Sequence, residues 1–174
     1  MDRTPPTLCE PNKCTACSAC ANICPNIAIS MEEDGYGELH PSISADRCTK
    51  CGLCERVCPE LERTKLNRYG SPDIYSCWLK SADDRKESTS GGAAYAISKS
   101  IIAKGGHVWG AAYTDGLSLR YVEANTIEEL QPQRKSKYVQ CYVADCFKKI
   151  KQELDAGELV LFCGTACHVK GLRF

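Results

Sequence analysis

Cys14 to Pro25 reads CTACSACANICP, and Cys48 to Pro59 reads CTKCGLCERVCP. Both follow C-x-x-C-x-x-C-x-x-x-C-P, and both place Thr after the first Cys. Two complete copies of so specific a pattern are an internal repeat rather than an accident of composition. The chain holds 14 cysteines in 174 residues, far above ordinary usage. A secreted disulfide scaffold would explain that count, but the opening MDRTPPTLCEPNKC lacks the apolar core of an export signal. In a reducing cytosol, dense cysteine points to metal instead. The expectation is a cytoplasmic protein. Lys plus Arg and Asp plus Glu both number 22, so the polypeptide has no formal net charge. That balance argues against nucleic acid or an anionic membrane as the main partner. No apolar stretch reaches the roughly 18 residues that a membrane-spanning helix needs.

The spacing fits the bacterial ferredoxin run that holds 4Fe–4S clusters. Three thiolates, each separated by two residues, wrap one cubane in a tight loop. The fourth opens a short helix directed away from that loop, so it reaches the other cluster. Cys14, Cys17, Cys20 and Cys58 are therefore assigned to one cluster, and Cys48, Cys51, Cys54 and Cys24 to the second. Pro25 and Pro59 cannot continue a backbone ladder and turn the chain away. Zinc fits less well, because zinc ribbons use two C-x-x-C pairs around a longer loop. Between the runs, AISMEEDGYGELHPS predicts a short β-hairpin with its turn in EEDGYG. Residues 8 to 62 resemble a dicluster bacterial ferredoxin over its full length, within a first domain of residues 1–66. Such a module moves single electrons and names no substrate by itself. Two oxidised cubanes with their thiolates add roughly −4 of charge, which suits a basic docking partner.

The polar stretch ERTKLNRY, followed by GSPD, reads as a linker to a second domain, residues 67–174. There Ile74 to Leu79 predicts a strand, and SADDRKESTSGG a long polar loop. AAYAISKSIIAK has helical apolar spacing and ends at Gly105-Gly106. HVWGAAY and LSLRYVEA predict strands joined by TDG, and Thr126 with Glu129 forms a capping box. A helix over 144–156, the strand ELVLFCG and a last helix complete the pattern. The expected fold class is α+β: a dicluster ferredoxin-like domain, then a partial α/β domain with a mixed sheet. In such sheets, ligands sit where strands enter helices. STSGG and FCGTAC hold that position, and RKSKY (Arg134 to Tyr138) adds three cations. Each feature also reads as plain turn chemistry or a solvated face.

SGG, GGHVWGAAY, SKYVQ and FCGTACHVKGL, in that order behind two ferredoxin runs, resemble the coenzyme F420 hydrogenase/dehydrogenase beta-subunit family. The resemblance implies an iron–sulfur flavoprotein that binds FAD. Such a protein passes electrons between its clusters, the flavin and a deazaflavin coenzyme or another acceptor. It makes Ser90, Gly91, Gly92, Ser136, Lys137, Gly164, Thr165 and Cys167 candidates for the flavin site. Two departures stand out. The family shows G-T-P-C-Q where this chain has Gly164-Thr165-Ala166-Cys167-His168, and it continues well over a hundred residues further. The expected function is an electron-transferring subunit of an oxidoreductase, working with a redox partner protein or another subunit. The alternatives are a ferredoxin-like carrier without flavin chemistry and a truncated, non-catalytic remnant.

The other cysteines read more plainly. Cys163 and Cys167 are expected as buried small thiols or as the floor of a flavin pocket. Cys77 is expected in the core, Cys9 as a near-terminal free thiol, and Cys141 with Cys146 as a weak third metal pair. His107 and His168 lack a catalytic partner pattern, and Trp78 and Trp109 read as packing residues. The terminal strand and helix are expected to be left uncovered and loose, with FAD binding weakened accordingly.

Overall fold

The computed structural model describes residues 6–61 and 73–173. The expected linker, ERTKLNRYGSPD, lies outside the described residues except for Asp73. In chain order the helices are α1 (Ala19–Ile23), α2 (Leu53–Arg56), α3 (Ala82–Lys86), α4 (Ala93–Ile102), α5 (Ile127–Leu130), α6 (Cys146–Asp155) and α7 (Ala166–Leu172). The strands are β1 (Ile29–Glu33), β2 (Leu39–Ile43), β3 (His107–Tyr113), β4 (Leu119–Ala124) and β5 (Val160–Cys163). The chain divides into two compact units. One joins Met1–Leu66 with Val143–Lys148 and Thr165–Phe174; the other holds Asn67–Tyr142 and Lys149–Gly164. Two stretches expected in a contiguous second domain thus group with the first unit.

In the first unit, β1 and β2 form the expected antiparallel hairpin, with Ile29 opposite Ile43 and Glu33 opposite Leu39. Its turn is closed by Asp34, whose Oδ1 accepts from the backbone N–H of Tyr36 at 2.8 Å and of Glu38 at 3.0 Å. This is the Asx turn that a short acidic side chain makes with its own backbone. Helices α1 and α2 are only five and four residues long. Helices this short do not persist alone in water, so packing must hold them. Cys17, Ala19 and Val57 form the buried cluster between them, with Ile23 against it. The second chain segment is tied in by Asn22. Its Nδ2 donates to the Ser18 and Ala144 carbonyls at 3.0 and 2.9 Å, and its Oδ1 accepts from Lys148 N–H at 3.3 Å.

The second unit is built on a mixed sheet of order β4-β3-β5. Strand β4 runs antiparallel to β3, and β5 runs parallel to it, with Gly110 opposite Cys163. Tyr95, Val108, Ala124 and Leu130 form the core, packed by Leu79, Ile101, Ile102 and Leu161. Helix α4 ends where expected, at Gly105 in the left-handed region (φ +76°). The Thr126 hydroxyl accepts from Glu129 N–H at 3.2 Å, as the capping box requires. Its reciprocal bond goes to Asn125 N–H rather than to Thr126 itself, at 3.0 Å.

Two expectations need correction. Residues 74–79 form no strand, and Ile74, Tyr75, Trp78 and Cys77 are exposed. Their apolar run finds no ladder; one bond, Leu79 N–H to the Gly91 carbonyl at 2.8 Å, holds its end. The polar loop after it contains α3, started by Ser81, whose hydroxyl accepts from Asp84 N–H. Strand β5 is half-buried and pairs with β3 alone among the described strands. It is an edge, in line with the expectation of an uncovered terminal strand. Among the described residues, no helix is long and apolar enough to cross a membrane.

Candidate metal centres

The eight repeat cysteines gather in two cavities of the first unit. Cys14, Cys17, Cys20 and Cys58 line one. Cys24, Cys48, Cys51 and Cys54 line the other. Each cavity takes three cysteines from one run and the last cysteine of the other. The local backbone explains how. Contrary to expectation, the fourth cysteine does not open a helix: Cys24 caps the C-terminal end of α1 in extended conformation (φ −69°, ψ 112°), and Cys58 follows the end of α2. Helix α1 begins in the first run's loop, so its far end leaves that loop behind.

Both loops repeat the same unusual backbone. Ala16 and Lys50, two residues after the first Cys of each run, have φ of 53° and 56°. Ser18 and Gly52, two residues further on, have φ of 58° and 75°. A β-carbon in this region is uncommon and costs of order 1 kcal/mol. Alternating left- and right-handed residues make a concave nest of N–H groups, which receives anions. Recurrence of the same costly turns around both thiol sets fits loops shaped for an anionic cluster.

The donor chemistry fits as well. None of the 14 cysteines is paired in a disulfide. Burial, then the neighbouring Cys17, pushes the Cys20 thiol up to about 12. Burial also raises Cys17 and Cys54. Thiols crowded this way need a positive metal centre among them to ionise together, since a coordinating metal ion deprotonates its thiol outright. The cubane supplies that charge and a one-electron step when bound; the chain supplies the thiolates, the nest and the apolar walls.

Two residues near the first cavity were not legible as site residues. Cys9, expected as a free terminal thiol, lines that cavity beside Cys14 and Cys58. Burial, then the neighbouring Cys58 and Cys14, pushes its thiol up to about 12. Gly171 of α7 lies against Cys17: a β-carbon built on it would sit 3.1 Å from Cys17 Sγ. Lys170 Nζ donates to the Pro59 carbonyl at 2.8 Å and lies 3.6 Å from Glu60. His168 is 6% exposed, and its Nδ1 lies 3.1 Å from the Thr165 hydroxyl. Burial holds its pKa below the usual imidazole range, opposed by a bond to the Ala16 backbone. The expectation of an uncovered terminal helix is therefore corrected: α7 packs on the cysteine loop.

The flavin candidates fall in both units. Thr165 and Cys167 belong to the first unit, and their side chains lie 3.1 Å apart. In the second unit, the Ser90-Gly91-Gly92 turn and the Ser136-Lys137 turn are neighbours, joined by Ser136 N–H donating to the Thr89 hydroxyl at 2.9 Å. The cations there are committed. Lys137 Nζ donates to the Pro132 and Arg134 carbonyls, and Lys135 pairs with Glu87 at 2.9 Å. Arg134 stacks 3.9 Å over Tyr95 and donates to the Asp84 carbonyl. Gly91 is required by close packing, because a β-carbon would strike the Cys77 carbonyl. Gly164 likewise sits against Phe162 and Tyr121. Cys163 is half-buried and raised by burial, with Ser98 opposing. Cys141 belongs to the second unit and Cys146 to the first, both buried.

No curated protein matches the chain. Residues 13–60 match the family model described as a 4Fe-4S dicluster domain, a span that holds both cysteine runs and both cavities' repeat cysteines. That segment is a 4Fe-4S dicluster domain, and its chemistry is that of an iron–sulfur electron carrier.

Proposed function

We propose that the chain carries two 4Fe–4S clusters, one in each cavity, and works as a one-electron carrier to a redox partner. The observation that carries this reading is the division of eight cysteines into two cavities, each with three from one run and one from the other. Crossed ligation locks the two runs together, so each cluster helps hold the loop of its neighbour. The α1 and α2 helices are too short to do this alone.

A flavin-linked oxidoreductase subunit is the second reading, drawn from the resemblance to the F420 beta-subunit family. One observation favours it. Helix α4 starts at Gly92 without a side-chain cap, and its first residues, Ala93 and Ala94, are exposed. An open helix start offers N–H groups to an anion. The lysines beside it, already held by carbonyls and Glu87, count against a ready diphosphate cradle.

One titration separates the two readings. Anaerobic protein is reduced stepwise with dithionite while absorbance and electron paramagnetic resonance are followed. About two electrons per chain are expected, one for each cubane. About four, with the absorbance of a bound flavin, would establish the second reading instead. Uptake of none would overturn both.

A further inference from the structure

The first cavity contains five thiols, and the cluster that fills it uses four. Cys9 is the fifth, sharing the cavity with Cys14, Cys17, Cys20 and Cys58. The second cavity has no equivalent: its cysteines are Cys24, Cys48, Cys51 and Cys54 and no other. The two halves of the repeat are therefore unequal in one respect.

Resting on the cluster assignment above, we infer that Cys9 is a reserve ligand for the first cluster, able to take the iron that Cys58 holds. Cys14, Cys17 and Cys20 come from one tight loop and are placed together by local backbone. Cys58 reaches the same cluster from the other run, so any opening between the runs loosens it first. Cys9 reaches the same cavity on the segment before the Pro11–Lys13 turn, which Thr7 N–H ties to Glu55 of the second run at 3.0 Å.

The exchange is balanced. The iron–sulfur bond to Cys58 breaks as the bond to Cys9 forms, and the Cys9 thiol proton passes to the departing Cys58 sulfur. No electron changes hands, and the cluster keeps four thiolates throughout.

The test compares holo variants purified anaerobically without added thiol: wild type, Cys58→Ala, Cys24→Ala, Cys9→Ala and Cys9→Ala/Cys58→Ala. Iron is counted per chain, and alkylation of each cysteine is mapped by mass spectrometry. Wild type, Cys9→Ala and Cys58→Ala should each keep about eight irons, whereas Cys24→Ala and the double variant should fall to about four. Cys9 should be alkylated in the wild type and protected in Cys58→Ala. Loss of half the iron in Cys58→Ala, with Cys9 still reactive, would overturn the inference while leaving the two-cluster reading intact. A wild type without iron would overturn both.

Discussion

Cys24→Ala is expected to remove about half of the chain's iron, from about eight to about four, and to take it from the cavity built by the other run. Cys24 stands in the first run, four residues after Cys20, yet it lines the cavity of Cys48, Cys51 and Cys54. Its removal leaves three thiolates and no replacement among the cavity's cysteines. Alkylation of the variant should therefore reach Cys48, Cys51 and Cys54, while Cys14, Cys17 and Cys20 stay protected by an intact cluster. If Cys14, Cys17 and Cys20 became the reactive set, each run would hold its own cluster and the crossing would be wrong. The effect should be large because a cubane that loses a buried ligand exposes iron to water and chelators.

Gly171→Val should destabilise the first unit by about 1–3 kcal/mol, the usual cost of forcing volume into a packed contact. The sign is informative. Replacing a helical Gly by Val would by itself favour the helix by a few tenths of a kcal/mol. A loss must therefore come from the contact with Cys17, where a β-carbon would meet Sγ at 3.1 Å and Cβ at 3.2 Å. The measurements are hydrogen exchange over α7 and the rate at which a chelator strips iron. In the wild type the α7 amides should be protected, since His168 and Gly171 are buried. In the variant they should exchange faster, and about four irons should leave faster than the rest. Unchanged exchange and iron release would show that α7 does not secure the first cluster's loop.

What sequence could reveal divides along contact range. The repeat, the hairpin between its copies, the glycine stop of α4 and the capping box at Thr126 are all written within a few residues, and local spacing exposes them. The run from Ile74 to Leu79 misleads because its apolar composition suits a strand but the fold supplies no ladder partner; tertiary pairing decides. Helix α3 was hidden in a polar stretch whose Ser81 and Asp84 spacing was its one start signal. Cys9 and Gly171 could not be read at all from local pattern. Cys9 meets Cys58 across 49 positions, and Gly171 meets Cys17 across more than 150. The same holds for the terminal helix. The VLFCGTACHVKGL segment looks like one strand-to-helix unit, yet the division between compact units falls inside it, between Gly164 and Thr165.

That two cysteine runs, each lending its last thiol to the other, hold two cubanes is tested by elemental composition: iron, acid-labile sulfide and zinc per chain in anaerobically purified protein. Brown protein with about eight irons and eight sulfides per chain and no stoichiometric zinc is expected. Two zinc ions per chain with little or no sulfide would contradict it.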